Sequence, residues 1–174
     1  GFDPPSGWAS QFDDSEKKLS GRLAALVIKR LEGNLVGREW LERLKTTEIP
    51  FPSILLRKTK TATMAFYLPT TKTLYLNSHF VLLAILEGIS SEKERDDLEK
   101  RLSDPKELNQ YLLAHPKIFE KIVSLHEDSL FHELIHYWQG QNYAFWDMMD
   151  RGNTPSAMPI EYEQQAFIEQ VRYL

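Results

Sequence analysis

His132-Glu133-Leu134-Ile135-His136 is the stretch of this sequence whose residue types and spacing can do chemistry. Two histidines four positions apart stand on one face of a helix, so both imidazoles can turn toward one metal ion. Glu133 lies on the same turn. Its carboxylate can reach an open position beside the metal and act there as general base toward a water. Chance alone places an H-E-x-x-H in roughly one chain of this composition per hundred, so its surroundings matter. Leu130, Leu134 and Ile135 are apolar, as a helix packed on a core requires.

A catalytic zinc site takes three protein ligands and keeps one position open. His136 is the last histidine and the chain has no cysteine, so the third ligand must be a carboxylate. Asp147, Asp150, Glu161, Glu163 and Glu169 all follow the motif. Asp147 and Asp150 lie on a segment that must first turn away. The stretch from Pro159 to Phe167 instead opens a second helix, which can pack across the first and offer one carboxylate. Glu161 and Glu163 are two apart and face different directions, so only one of them can bind. Tyr143 and Tyr162 are candidate oxyanion donors. His126 falls on another face of the motif helix and reads as a surface or capping residue. His79 and His115 read as ordinary surface residues. Tyr137, Trp138, Phe145 and Trp146 wall the site or fill the core.

The elements that must position these residues are mostly helical. Leu19, Leu23, Leu26 and Val27 recur near a 3.6 period and predict a helix from Ser15 to about Glu32, stopped at Gly33-Asn34. A short helix follows over Arg38 to Leu44. Ile49-Pro50-Phe51-Pro52 is an extended connector. Thr59 to Leu68 and Thr73 to Leu76, with a turn between them, predict a hairpin in a small antiparallel sheet. Helices are then expected over Phe80 to Leu86, Glu92 to Leu102 (a solvated face capped at Ser90 or Ser91) and Pro105 to Leu113. The motif helix runs from Pro116 to about Trp138 and breaks at Gly140. Tyr143 to Asp150 can form a short helix, and Ile160 to Val171 the last one.

The 174 residues suit one domain, with a net charge of −4. That balance, without a basic stripe, predicts no nucleic-acid partner. No apolar run approaches the ~18 residues of a membrane span, so no integral membrane segment is expected. The chain opens on Gly1 rather than Met. This predicts a processed form, and favours an exported protein with its signal peptide removed over a cytoplasmic one.

An H-E-x-x-H followed by a helical Glu 25 positions later resembles the gluzincin metallopeptidases, and the size resembles their single-domain members, the minigluzincins and related zinc-peptidase-like proteins. The family's second motif is often Pro-x-Glu-x-Glu-Ala-(Asp/Asn)-x-Phe. Pro159, Glu161, Glu163 and Phe167 match it, while Gln164 stands at the Ala and Gln165 where an Asp or Asn supports a ligand histidine. The resemblance runs from about Ala62 to the C-terminus. It implies an α+β, mostly helical zincin-like domain over residues 61–174, preceded by an arm and helical extension over residues 1–60. It also implies Zn2+ held by His132, His136 and Glu161, with Glu133 as general base in hydrolysis of a peptide or protein substrate. An edge strand, either Thr61 to Leu68 or Thr73 to Asn77, would pair with that substrate. Gln165 carries no charge, which leaves a zinc-binding but non-proteolytic regulatory or protein-binding module as an alternative. Another is a latent form whose N-terminal segment blocks the cleft through Asp13, Asp14 or Glu16.

Overall fold

Asp13 precedes the first helix. Its carboxylate accepts from the Glu16 N–H at 2.8 Å and the Ser15 hydroxyl at 2.6 Å, and so caps helix α1 (Asp14–Glu32) in place of the expected Ser15. The computed structural model describes residues 13–59, 62–142 and 160–174. The proposed helix over Tyr143 to Asp150, with Tyr143, Phe145, Trp146, Asp147 and Asp150, lies outside the described residues.

Asn34 does more than stop α1. Its side chain accepts from the Val36 and Gly37 N–H groups and starts α2 (Leu35–Thr46), three residues before the expected Arg38. The corner between the two helices is tight. A Cβ on Gly37 would lie 2.3 Å from the Leu31 carbonyl oxygen, so only glycine fits there.

Strand β1 (Ser53–Arg57) follows the proline connector, with Ile54, Leu55 and Leu56 buried. A short apolar run between prolines and a charged stretch does not alternate, and periodicity cannot tell it from a loop or a buried helix turn. Strand β2 (Ala65–Leu68) is shorter than expected, and β3 (Thr73–Asn77) is buried at every position. The order is β1-β3-β2. β2 and β3 pair antiparallel as the hairpin predicts, but β1 runs parallel to β3, so the sheet is mixed rather than antiparallel. The central place of β3 explains its burial on both faces.

Helices α3 (Ser78–Glu87), α4 (Glu92–Leu102) and α5 (Pro105–Ala114) follow, capped by Asn77, Ser91 and Asp104. α6 (Pro116–Asn142) is the longest at 27 residues, about 40 Å at 1.5 Å per residue. It passes through Gly140 instead of breaking there. A Cβ at Gly140 would lie 2.9 Å from the Tyr67 hydroxyl, so this glycine admits β2 to the helix. The last helix, α7 (Ile160–Tyr173), lies against α6.

The fold is α+β, mostly helical, and its core does not divide at residue 60. Leu19, Leu23, Leu31 and Trp40 from the first two helices share one buried cluster with Leu76, Ile122, Phe131 and Leu134. An amphipathic α1 cannot bury its apolar stripe alone, and β1 completes the sheet, so α1, α2 and β1 belong to the same body. Among the described residues, no helix is long and apolar enough to cross a membrane.

Candidate metal centre

His132, Glu133 and His136 lie within α6, at the level where β2 and α7 both approach it. The two histidine rings meet edge to face, with their Nε2 atoms 3.1 Å apart. Glu163 of α7 joins them. Its Oε1 lies 3.7 Å from His132 Nε2 and in closer contact with His136 Nε2. Glu161, the expected third ligand, is exposed in the first turn of α7 and outside this cluster. The reason is the face that α7 turns to α6. Glu163, Ala166, Gln170 and Tyr173 recur at spacings of 3, 4 and 3, and Ala166 and Tyr173 are the buried residues of the helix. Glu161 precedes Glu163 by two positions, about 200° around the axis.

Each imidazole is oriented from behind by an amide. His136 Nδ1 lies 2.8 Å from Gln139 Oε1, and His132 Nδ1 lies 2.8 Å from Gln170 Oε1. These oxygens can only accept, and which end of each amide faces the ring is fixed by the other end. Gln139 Nε2 donates to the Tyr162 carbonyl at 3.0 Å and to Gln165 Oε1 at 2.8 Å. Gln170 Nε2 donates to Asp128 Oδ2 at 3.3 Å. Both rings therefore carry a proton on Nδ1, which leaves the Nε2 lone pairs directed at each other and at a carboxylate.

Convergent lone pairs of this kind repel unless a cation or a proton lies among them. Two imidazole nitrogens and one carboxylate oxygen, all within 4.8 Å of one another, form a donor set that could hold a metal ion. The residues present fit a metal. Burial holds the His136 ring below the ordinary histidine range, the Gln139 bond and the nearby Glu163 opposing it.

Glu133 occupies the wall of the cleft rather than the ligand cluster. Its pKa is pushed up to about 8, first by burial and then by the charge of Glu163, while the Tyr67 main-chain N–H it accepts from pulls the other way. The cleft itself has a volume of about 660 Å3, and Met64, Tyr67, Ser129 and Phe167 line it with the polar residues. Phe167, one turn beyond Glu163, packs edge-on against His132 at 4.7 Å.

β2 is the strand that borders this cleft. The Asn77 N–H donates to the Met64 carbonyl at 2.9 Å. Bonded and non-bonded pairs alternate along an antiparallel ladder, so Met64 and Phe66 turn their main chain to β3. Ala65 and Tyr67 turn theirs to the free edge, as the Tyr67–Glu133 bond requires.

The other carboxylates and histidines have different work. Glu169 accepts from Trp40 Nε1 at 2.9 Å and pairs with Arg172. Asp13 caps α1, and Glu16 pairs with Arg57, so neither reaches the histidines; Asp14 is exposed in the first turn. His79 and His115 are exposed, as expected, but His126 is 3% exposed with Nδ1 on the Ile122 carbonyl and belongs to the interior. Tyr137 and Trp138 are core residues, Tyr137 donating to the Pro50 carbonyl at 2.6 Å. The Tyr162 carbonyl serves Gln139.

The sequence reasoning passed over Gln139 and Gln170. Each has a signal in the sequence: Gln139 lies one turn after His136, and Gln170 two turns after Glu163 on the same stripe. Comparison with known proteins gives no match, whether with family models, curated proteins or solved structures.

Proposed function

We propose that this chain is a zinc-dependent metallopeptidase of gluzincin type, with Glu163 in place of Glu161 as the third ligand. The observation that carries the reading is the convergence of two Nδ1-anchored imidazoles and one carboxylate, with Glu133 in the cleft wall beside them. His132, His136 and Glu163 would hold the ion. Bound there, zinc supplies Lewis acidity, which polarises a carbonyl and lowers the pKa of a water toward about 7.

The remaining steps fall to the protein. The outward main-chain groups of Ala65 and Tyr67 offer an extended peptide a strand to pair with, which orients the scissile bond along the cleft. Water adds through oxygen to the peptide carbonyl carbon while Glu133 takes its proton. The C–N bond breaks, and Glu133 delivers that proton to the leaving amine. For this the Tyr67 N–H must exchange Glu133 for the substrate. The cationic charge the cluster is built to hold would draw Glu133 back toward the ionised form a base requires.

Hydrolysis of an unfolded protein by the zinc-loaded chain tests the reading. Glu133→Gln should keep its zinc and lose about 100-fold or more in rate. Equal rates in the two proteins would overturn the peptidase assignment. One observation favours a second reading, a zinc-binding module without proteolysis: both imidazoles are backed by neutral amides rather than by carboxylates. Stoichiometric zinc with no cleavage by the wild-type chain would select it.

A further inference from the structure

The two parallel strands β1 and β3 end in register, Arg57 opposite Asn77, and α3 starts directly from β3 at Ser78. Ligands of parallel strands gather at this end, where the following helix presents its first N–H groups. A cavity of about 330 Å3 lies there, at the small end of the usual range of about 300–1,000 Å3 for ligand pockets. It shares no lining residue with the cleft at His132.

One buried polar atom lines this cavity without a partner. Asn109 of α5, 4% exposed, also lines the cavity. Glu16 of α1 gives Oε1 to Arg57 Nη1 at 2.5 Å, but its Oε2 is buried with no hydrogen-bond partner. A buried acceptor left unbonded is costly, and one at the wall of a cavity asks for a ligand.

We propose that this cavity is a metal-independent site for a free aliphatic α-amino acid. Glu16 Oε2 and Asn109 Oδ1 accept from the ammonium. The carboxylate lies toward Lys58 at the rim and the part of the Arg57 guanidinium that Glu16 and the Leu56 carbonyl leave unused. Arg57 and Lys58 together exceed Glu16 by one positive charge, which suits a ligand whose anionic end lies nearest them. Leu56, Leu82, Leu102 and Leu108 wall the rest and select an aliphatic body. A peptide amino terminus lacks the carboxylate and a carboxyl terminus lacks the ammonium, so only the free amino acid satisfies both ends.

Calorimetric titration of the full chain with L-leucine, in the presence of EDTA so that zinc plays no part, tests the site. Saturable binding in the micromolar to millimolar range is expected, with N-acetyl-leucine and leucine methyl ester each at least about tenfold weaker. Lys58→Ala removes an exposed charge and should weaken leucine several-fold at an unchanged melting temperature. Asn109→Leu replaces the amide by an apolar group of similar size and should abolish binding in a folded protein. His136→Ala should bind leucine as the wild type does. Absence of saturable binding, equal affinity for the three compounds, or loss of binding in His136→Ala would overturn the proposal.

Discussion

Glu163 and Glu161 differ by two positions in the chain and by most of a half-turn around α7, and that difference decides which can serve the histidines. Glu163→Ala should cut zinc affinity severely, and Glu161→Ala should leave it within about twofold. Competition against a chromophoric chelator would measure both. The two amides allow a finer test. Gln170→Ala frees the His132 ring and Gln139→Ala the His136 ring, and each should weaken zinc by about 10–100-fold with the ligands themselves intact. Zinc affinity equal to wild type in both would show that the amides merely fill space. His132, Glu133 and His136 were legible in the sequence because their spacing is internal to one helix. Which carboxylate joins the two histidines was not. Pro159 and Phe167 set a register by resemblance, whereas packing set it by the stripe of Glu163, Ala166, Gln170 and Tyr173. A small Ala between polar and aromatic residues at 3–4 spacing marks a helix face pressed against another, and that mark was present in the sequence.

At the scale of elements, caps and turns were more legible than strands. Ser91 and Asp104 act locally, through bonds to N–H groups two or three residues away, so their sequence context suffices. β1 acts through β3, and nothing local announces a parallel partner 20 residues on. Gly140 misled for a related reason: it reads as a helix stop, but its use is to admit Tyr67. Gly140→Ala should therefore destabilise the fold by about 1–3 kcal/mol, and Tyr67→Phe should recover much of the loss by removing the hydroxyl in the way. Urea melts of the double-mutant cycle would show it; additive losses would place the strain elsewhere. The cap of α1 carries a pH signature. Hydrogen bonds from Ser15 and Glu16 hold the Asp13 carboxyl below its ordinary value of 3.8. A lowered folded pKa means stability present above the ordinary value and lost as pH falls through the folded one. Melts of wild type and Asp13→Ala should differ at neutral pH and converge in acid.

At the scale of the whole molecule, α1 and α2 are tied to the cluster of His132, His136 and Glu163. Trp40 of α2 is fully buried, packs edge-on against Trp138 at 5.2 Å, and donates to Glu169 of α7. Asn34 donates to the Tyr173 carbonyl, Arg172 pairs with Glu39, and Tyr173 stacks on Phe131. These contacts hold α7, and hence Glu163, against α6. Trp40→Ala should cost about 3–5 kcal/mol and should also lower zinc affinity, although it lies outside the ligand set. Calorimetry with and without zinc would separate the two losses, and a destabilised protein with unchanged zinc affinity would break the link. Deletion of residues 1–45 should abolish folding rather than uncover a cleft, because Leu19, Leu23, Leu31 and Trp40 leave with it. A folded, more active truncation would reverse that conclusion.

The two helical stripes also define how a distant cousin of this protein would be recognised. His-Glu-x-x-His-x-x-Gln over residues 132–139 and Glu-x-x-Ala-x-x-x-Gln over residues 163–170 hold all the atoms of the cluster and of its amide supports except Asp128, Tyr162 and Gln165. Within each phrase the spacing is dictated by the pitch of a helix, and one inserted residue would rotate a ligand out of reach. Between the phrases no such rule applies. Divergence should therefore show as drift in the length of the intervening chain, while the two phrases keep their metre.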